Sequence, residues 1–223
     1  MNSPCRKFFP SSSIARKLIM ALTGLLLFGF LAMHLAANLL LFISADSYNH
    51  YGHALTSNPL IYVAEAGLLL LFLYHIVDAI TLKLGEGKAR PQENDQRESL
   101  GKSTVHSRTM IWSGLAILVF LVIHVATLKY GEHISTVVQG QEVRDLYALV
   151  AKKFTNIWYA GFYVAMMVLL GFHLAHALQS SLRTLGFAER RWLRAAKILS
   201  LIVALIFTVG FGAMPIYFYL RGN

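Results

Sequence analysis

The chain reads as all-α, an integral membrane bundle of five transmembrane helices with a cytoplasmic N-terminus, and three observations predict that class. Hydrophobic residues make up 56% of its 223 positions and charged residues only 14%, which is too much apolar surface for one water-soluble core. Those apolar residues gather into five charge-poor runs, each about as long as the 20 residues that a hydrocarbon core of about 30 Å asks of a helix. Lys and Arg are shared unequally among the connections, alternating between rich and poor along the chain. Strands are excluded as spanning elements, because an open sheet leaves backbone groups unpaired in lipid.

The spans are expected at about residues 18–43, 60–84, 109–130, 157–180 and 198–220, in a single membrane domain covering 1–223. Arg6, Lys7, Arg16 and Lys17 precede the first span, which is too long for a cleaved leader and lacks a clean small-residue cleavage site, so it is read as retained. The second span is interrupted by Glu65 and Asp78 and ends near Lys83. Between the first two spans, SADSYNHYGHALTSNP carries Tyr48, His50, Tyr51 and His53 before a turn at Asn58 and Pro59. Polar GEGKARPQENDQRESLGKS reads as a solvated loop between spans two and three. Residues 131–155 precede the fourth span; there EVRDLYALVAKKF places Val143, Leu146, Leu149, Val150 and Phe154 at helical spacing, predicting an amphipathic helix on the outer surface. The fifth span lacks histidine and is expected to pack beside the other four, with Gly210 and Gly212 permitting close approach and Pro215 disturbing its outer end.

Fifteen Lys and Arg fall before span one, between spans two and three, and between spans four and five, against five on the opposite side. The rich side is therefore expected in the cytoplasm. The net charge of +9 follows from this bias and from anionic lipid, and does not argue for nucleic acid. Cys5, the single cysteine, cannot form an internal disulfide.

His34, His75, His124, His173 and His176 lie inside the first four spans. An ionisable residue within a membrane usually marks a site, whereas a lone one can simply bond a neighbouring helix; recurrence in four spans favours a collective role. At 1.5 Å per helical residue, His34 lies roughly 26 Å from Lys17 and His124 roughly 24 Å from Arg108, both near the outer face. Counted from Lys83, His75 is roughly 12 Å deep; counted from Arg183, His173 is about 15 Å and His176 about 10 Å deep, near the inner face. The histidines thus form two levels, spans one and three outside and spans two and four inside, and depth leaves His173 and His176 unseparated. Two imidazoles facing across a bundle can hold a porphyrin iron from both axial sides, as in electron-transfer haems. A histidine-lined metal or proton transporter is the alternative from another class, although it calls for carboxylates and a polar path, whereas GFLAMHLAANLLLF is apolar.

The ordered blocks SSSIARKLIMALTGLLLF, MHLAANLLLF, NPLIYVAEAGLLLLFLYHIVDAI, SRTMIWSGLAILVFLVIHV, DLYALV and GFHLAHALQSSLRTLGF, which together cover most of the chain, resemble the cytochrome b membrane anchor of succinate:quinone oxidoreductases, in its single-chain, five-helix, two-haem form. The resemblance implies two haem b groups, held by His34 and His124 at the outer level and by His75 and His173 at the inner one, with the first four helices as the haem-binding bundle. It implies a subunit of succinate dehydrogenase or fumarate reductase in a bacterial cytoplasmic (inner) membrane. Electrons would pass between flavoprotein and iron–sulfur partner subunits on the cytoplasmic face and a quinone, menaquinone or ubiquinone, in the lipid. Dicarboxylate chemistry would belong to those partners, since the chain has no dinucleotide fingerprint and no CxxC cluster. A higher oligomer of the complex is compatible with this. The bis-histidine anchor of another quinone-linked dehydrogenase or hydrogenase is the nearer alternative.

Quinone reduction needs protons as well as electrons, so polar groups close to a haem are candidates. At the outer level these are Glu65, Tyr48 and Tyr51, with His50 and His53 nearby. At the inner level Ser13 and Arg16 resemble the serine and basic residue that serve quinone in other members, and Asp78 could orient water. Lys17, Arg108, His176 and Arg183 are candidates to meet haem propionates, beside their plain roles in topology and helix contact. Some two-haem relatives have a glutamate two residues before the fourth ligand as part of a proton path; here that position is Gly171.

Overall fold

A computed structural model describes residues 13–88, 105–187 and 191–222, with side chains for 14–84, 110–187 and 191–222. Cys5, most of the expected loop between spans two and three, and the side chains of Ser13 and Arg108 lie outside the described residues. Five helices are long and apolar enough to cross a membrane. They are α1 (Ser13–Asn38), α3 (Leu60–Lys88), α4 (Val105–His124), α6 (Ile157–Thr184) and α7 (Leu193–Gly222), joined by the short helices α2 (Ala45–Thr56) and α5 (Leu146–Phe154). The expected all-α membrane bundle is therefore the observed architecture, and the chain is a multi-pass membrane protein. Large apolar side chains such as Leu26, Leu70, Val122 and Leu205 face outward along the spans, where water would oppose them and lipid does not.

Helix ends are set locally. Asn58 accepts from Leu60 N at 3.0 Å, with Pro59 beside it, and opens α3. The Asn156 side chain accepts from Trp158 N at 2.9 Å and Tyr159 N at 3.1 Å, opening α6. Gly186, at φ 83°, closes α6, and Phe187 N then donates back to Leu182 O at 2.9 Å. At the opposite end of the molecule both α1 and α4 change winding, α1 running into a 3₁₀ turn (Leu39–Phe42) and α4 into a π turn (Val125–Lys129).

Packing defines a ring. α1 neighbours α3 and α6, while α4 neighbours α6 and α3, so that α1 stands diagonally across from α4 and α3 from α6. α7 lies outside this ring, mainly against α6 and also against α1. The buried core reflects that: Met167 and Leu170 of α6 meet Phe207, Phe211 and Met214 of α7 and Leu35 of α1. Gly210 provides the α1–α7 approach, since a Cβ there would lie 2.9 Å from Leu35 Cδ1, whereas Gly212 faces no atom within 4 Å. Pro215 does not break α7, which continues helically through it to Gly222.

One expectation for the connections needs correction. The segment before α5 is not wholly helical: β1 (Ser135–Val138) and β2 (Gln141–Arg144) form an antiparallel hairpin, and Val143 belongs to β2. Gln139 (φ 53°) and Gly140 (φ 79°) supply the two positive-φ positions that a two-residue hairpin turn needs. The pair lies beyond the span ends, where the rule against spanning strands does not apply. The Tyr- and His-rich link after span one is also a helix, α2, opened by Ser44, whose hydroxyl accepts from Ser47 N at 3.1 Å. α2, the hairpin and α5 together cap one end of the ring. The cap is locked by Asn49, 2% exposed, which donates to Asp145 Oδ1 at 2.8 Å and accepts from Tyr147 N at 3.0 Å. Arg144 adds a clamp, donating to the carbonyls of Leu128 at 3.2 Å, Lys129 at 2.6 Å, Gly131 at 3.1 Å and Glu132 at 3.2 Å, where the winding change leaves acceptors unpaired. The opposite end of the bundle, the basic end, carries Arg16, Lys17 and Arg183.

Candidate functional site

The ring topology brings the spanning histidines together across its diagonals. At the cap end, His34 of α1 and His124 of α4 face one another with ring centroids 5.8 Å apart and planes at 82°. Phe30 stacks on His34 at 5.5 Å, Phe211 lies 5.8 Å from it, and Phe120 lies 5.7 Å from His124. At the basic end, His75 of α3 lies within electrostatic reach of His173 of α6, which is in turn within reach of His176. His34 and His124 thus lie together at the cap end, and His75, His173 and His176 are near one another at the basic end.

Hydroxyl contacts back the lower pair. Thr23 Oγ1 lies 3.1 Å from both Met20 O and His75 Nδ1. Ser113 Oγ lies 3.0 Å from both Met110 O and His173 Nδ1. A hydroxyl that gives its hydrogen to the carbonyl accepts from Nδ1, which makes Nδ1 the N–H and leaves Nε2 its lone pair. This is the protonation state an axial metal ligand requires. The arrangement is repeated in sequence: each hydroxyl is followed by a glycine, Gly24 facing His75 Cε1 and Gly114 facing His173 Cε1, where an added Cβ would come to 3.5 and 3.7 Å. Thr23 and Ser113 escaped the sequence reading, although Thr-Gly and Ser-Gly pairs within apolar runs were the available signal.

The cap-end pair fits a haem. Two imidazoles bonded to one iron from opposite sides, at about 2 Å each, would have ring centres about 6 Å apart, close to the separation at the cap end. Among the described residues no group of three or more His, Cys, Asp or Glu side chains converges in the way a bare metal ion asks.

The remaining candidates are distributed unevenly. At the basic end, Arg16 donates to Asp78 Oδ1 from Nε at 3.2 Å and from Nη2 at 3.1 Å, and Nη2 also reaches Thr81 Oγ1. The Asp78 side chain is 1% exposed, and its Oδ2 has no hydrogen-bond partner among the described residues. Asp78 lies one turn from His75, so the pair and the lower histidines share one neighbourhood. Lys17 and Arg183 are exposed at that end and His176 is half-buried. At the cap end, Tyr48 donates to Asn38 Oδ1 at 3.2 Å, and Asn38 Nδ2 donates to His34 O at 2.8 Å, linking the cap to the turn that carries His34. Burial pushes the Tyr48 phenol up to about 12. Tyr51 and His50 are exposed, His53 lies 3.4 Å from Ser57 Oγ, and Glu65 forms an ion pair with Lys129 at the cap end. Gly171 packs against α7, where a Cβ would collide with Thr208 Oγ1.

No curated protein and no solved structure matches the chain. A family model described as "Succinate dehydrogenase/Fumarate reductase transmembrane subunit" matches residues 87–211, more than half of the chain, from the end of α3 through α4, the hairpin, α5 and α6 into α7. With that match the chain belongs to the family of succinate dehydrogenase/fumarate reductase transmembrane subunits.

Proposed function

We propose that the chain is the di-haem cytochrome b anchor of its complex, with one haem between His34 and His124 and the other between His75 and His173. The single observation that carries this reading is the gathering of spanning imidazoles at two levels across the diagonals of the ring, backed at the basic end by hydroxyls within hydrogen-bond distance of His75 Nδ1 and His173 Nδ1. When bound, the two haems supply one-electron redox steps across the bilayer. The protein's part is positional. Thr23 and Ser113 hold ring orientation and tautomer, the phenylalanines about His34 keep water away, and His176 is left for a propionate or a helix contact.

The basic end, with the N-terminus, is assigned to the cytoplasm and docks the flavoprotein and iron–sulfur subunits. Quinone is placed at the same end, with the Arg16–Asp78 pair, because a buried carboxylate oxygen without a partner is suited to hold or pass a proton. Ser13, three residues before Arg16 on α1, belongs to the same proposed site. Glu65, held by Lys129, and Tyr51, exposed on α2, are less suited.

Purification of the complex from its native membrane tests the reading. Expected are two larger companion subunits, one flavin-bearing and one iron–sulfur, and a reduced-minus-oxidised spectrum accounting for two b-type haems per chain. A preparation with no haem bands overturns it.

A further inference from the structure

A chain of hydroxyls runs beside His124. Thr127 Oγ1 lies 2.7 Å from Ile123 O and 2.6 Å from Tyr159 OH. Tyr159 OH lies 2.7 Å from Tyr163 OH, and Tyr163 OH lies 3.4 Å from His124 Nδ1. With the proton of His124 on Nδ1, as a ligand bound through Nε2 requires, Tyr163 accepts from it and donates to Tyr159, Tyr159 donates to Thr127, and Thr127 donates to Ile123 O. The chain leaves α4 at His124, crosses to α6 and returns to α4 in the π turn that directly follows His124. Phe120 and Phe154 pack edge-on against the Tyr163 ring at 4.9 and 5.0 Å and fix it in place. His34, across the pair, has ring contacts with Phe30 and Phe211 and no hydrogen bond to its ring among the described residues.

We infer that Tyr163, with Tyr159 and Thr127 behind it, is a positioning residue for His124: it holds the proton on Nδ1, frees Nε2, and sets how strongly that imidazole donates to iron. The inference rests on the reading of His124 as an axial ligand. A hydrogen bond accepted from the distant ring nitrogen makes the ligand more basic and favours the oxidised iron, so its loss raises the reduction potential. Neutral hydroxyls in series polarise one another, so the effect declines link by link away from the ring.

The test is a redox titration of the purified complex carrying Tyr163→Phe, Tyr159→Phe or Thr127→Val. Tyr163→Phe keeps the ring packing and is expected to favour reduction of the cap-end haem by up to about tenfold, or about 59 mV for one electron. Tyr159→Phe and Thr127→Val should give successively smaller shifts, and the basic-end haem should titrate as in the native complex throughout. If Tyr163→Phe fails to assemble, the graded pair Tyr159→Phe and Thr127→Val still decides the matter. Unchanged potentials in the variants that assemble, or equal shifts in both haems, overturn the positioning role. Retention of both haems in His124→Ala instead overturns the ligand assignment, and the inference with it.

Discussion

Ser113 Oγ lies 3.0 Å from both His173 Nδ1 and Met110 O, a contact suited to hold the proton on Nδ1 and leave Nε2 for a metal, and His173 rather than His176 is the proposed ligand. Separate replacements should tell the two apart. His173→Ala is expected to lose the basic-end haem, and His176→Ala to retain it, as read by haem content per complex. Ser113→Ala should keep that haem but bind it roughly tenfold less tightly, the scale on which outer-shell partners act. Equal retention in both histidine variants would refute the assignment.

Arg16 and Asp78 couple structure to turnover. Arg16→Met leaves a carboxylate that is almost wholly buried without its cation, and should destabilise the assembled complex by about 3 kcal/mol, seen as a lower midpoint for thermal loss of the haem band. Adding Asp78→Leu removes the stranded charge and should recover most of that stability, because an apolar pair of similar volume is often as stable as a buried ion pair. Quinone reduction should stay low in the double variant. Native turnover there would reduce the pair to scaffold.

The fold was legible where hydropathy and depth speak, and illegible where single polar atoms decide. Five runs of apolar sequence gave five spans, and counting residues from basic markers put His34 level with His124 before any packing was known. The cap was missed because its determinants are long-range: Asn49 matters through Asp145 and Tyr147, some hundred residues away, and nothing beside Asn49 announces that. Arg144 was counted as a loop charge, yet it is spent on four carbonyls at the end of α4. Ser44 and Gly140 were local signals that the sequence did offer, for the start of α2 and for the hairpin turn.

Tyr48 makes the cap sensitive to alkali. Its neutral phenol donates to Asn38, and burial lifts its pKa from 10.0 to about 12. A tyrosine freed by unfolding ionises at the lower value, so the contribution to stability is complete below pH 10 and is lost as pH rises towards 12. Phenolate absorbance should show one group titrating late, absent in Tyr48→Phe, and proteolysis at residues 45–56 should set in over the same interval in the native chain. Identical alkaline profiles for the two would disprove the link.

Gly171 gives the sharpest test of how α6 meets α7. A Cβ there would overlap Thr208 Oγ1, with Thr208 Cβ at 3.4 Å and Ala204 O at 3.5 Å behind it. The hydroxyl has little freedom to move aside, being bonded to Ala204 O at 2.9 Å. Gly171→Ala should therefore push the helices apart and cost about 2 kcal/mol, in the range of overpacked cores. Thr208→Ala removes the colliding atom and leaves only ordinary contacts, so the double variant should regain most of the loss, a coupling a double-mutant cycle reads directly. Gly171→Glu brings a longer, charged side chain to the same wall and should prevent stable assembly. The chain is thus sterically closed to a carboxylate at this position, and any proton route it uses must run through other residues; a stable Gly171→Glu complex would reverse that conclusion.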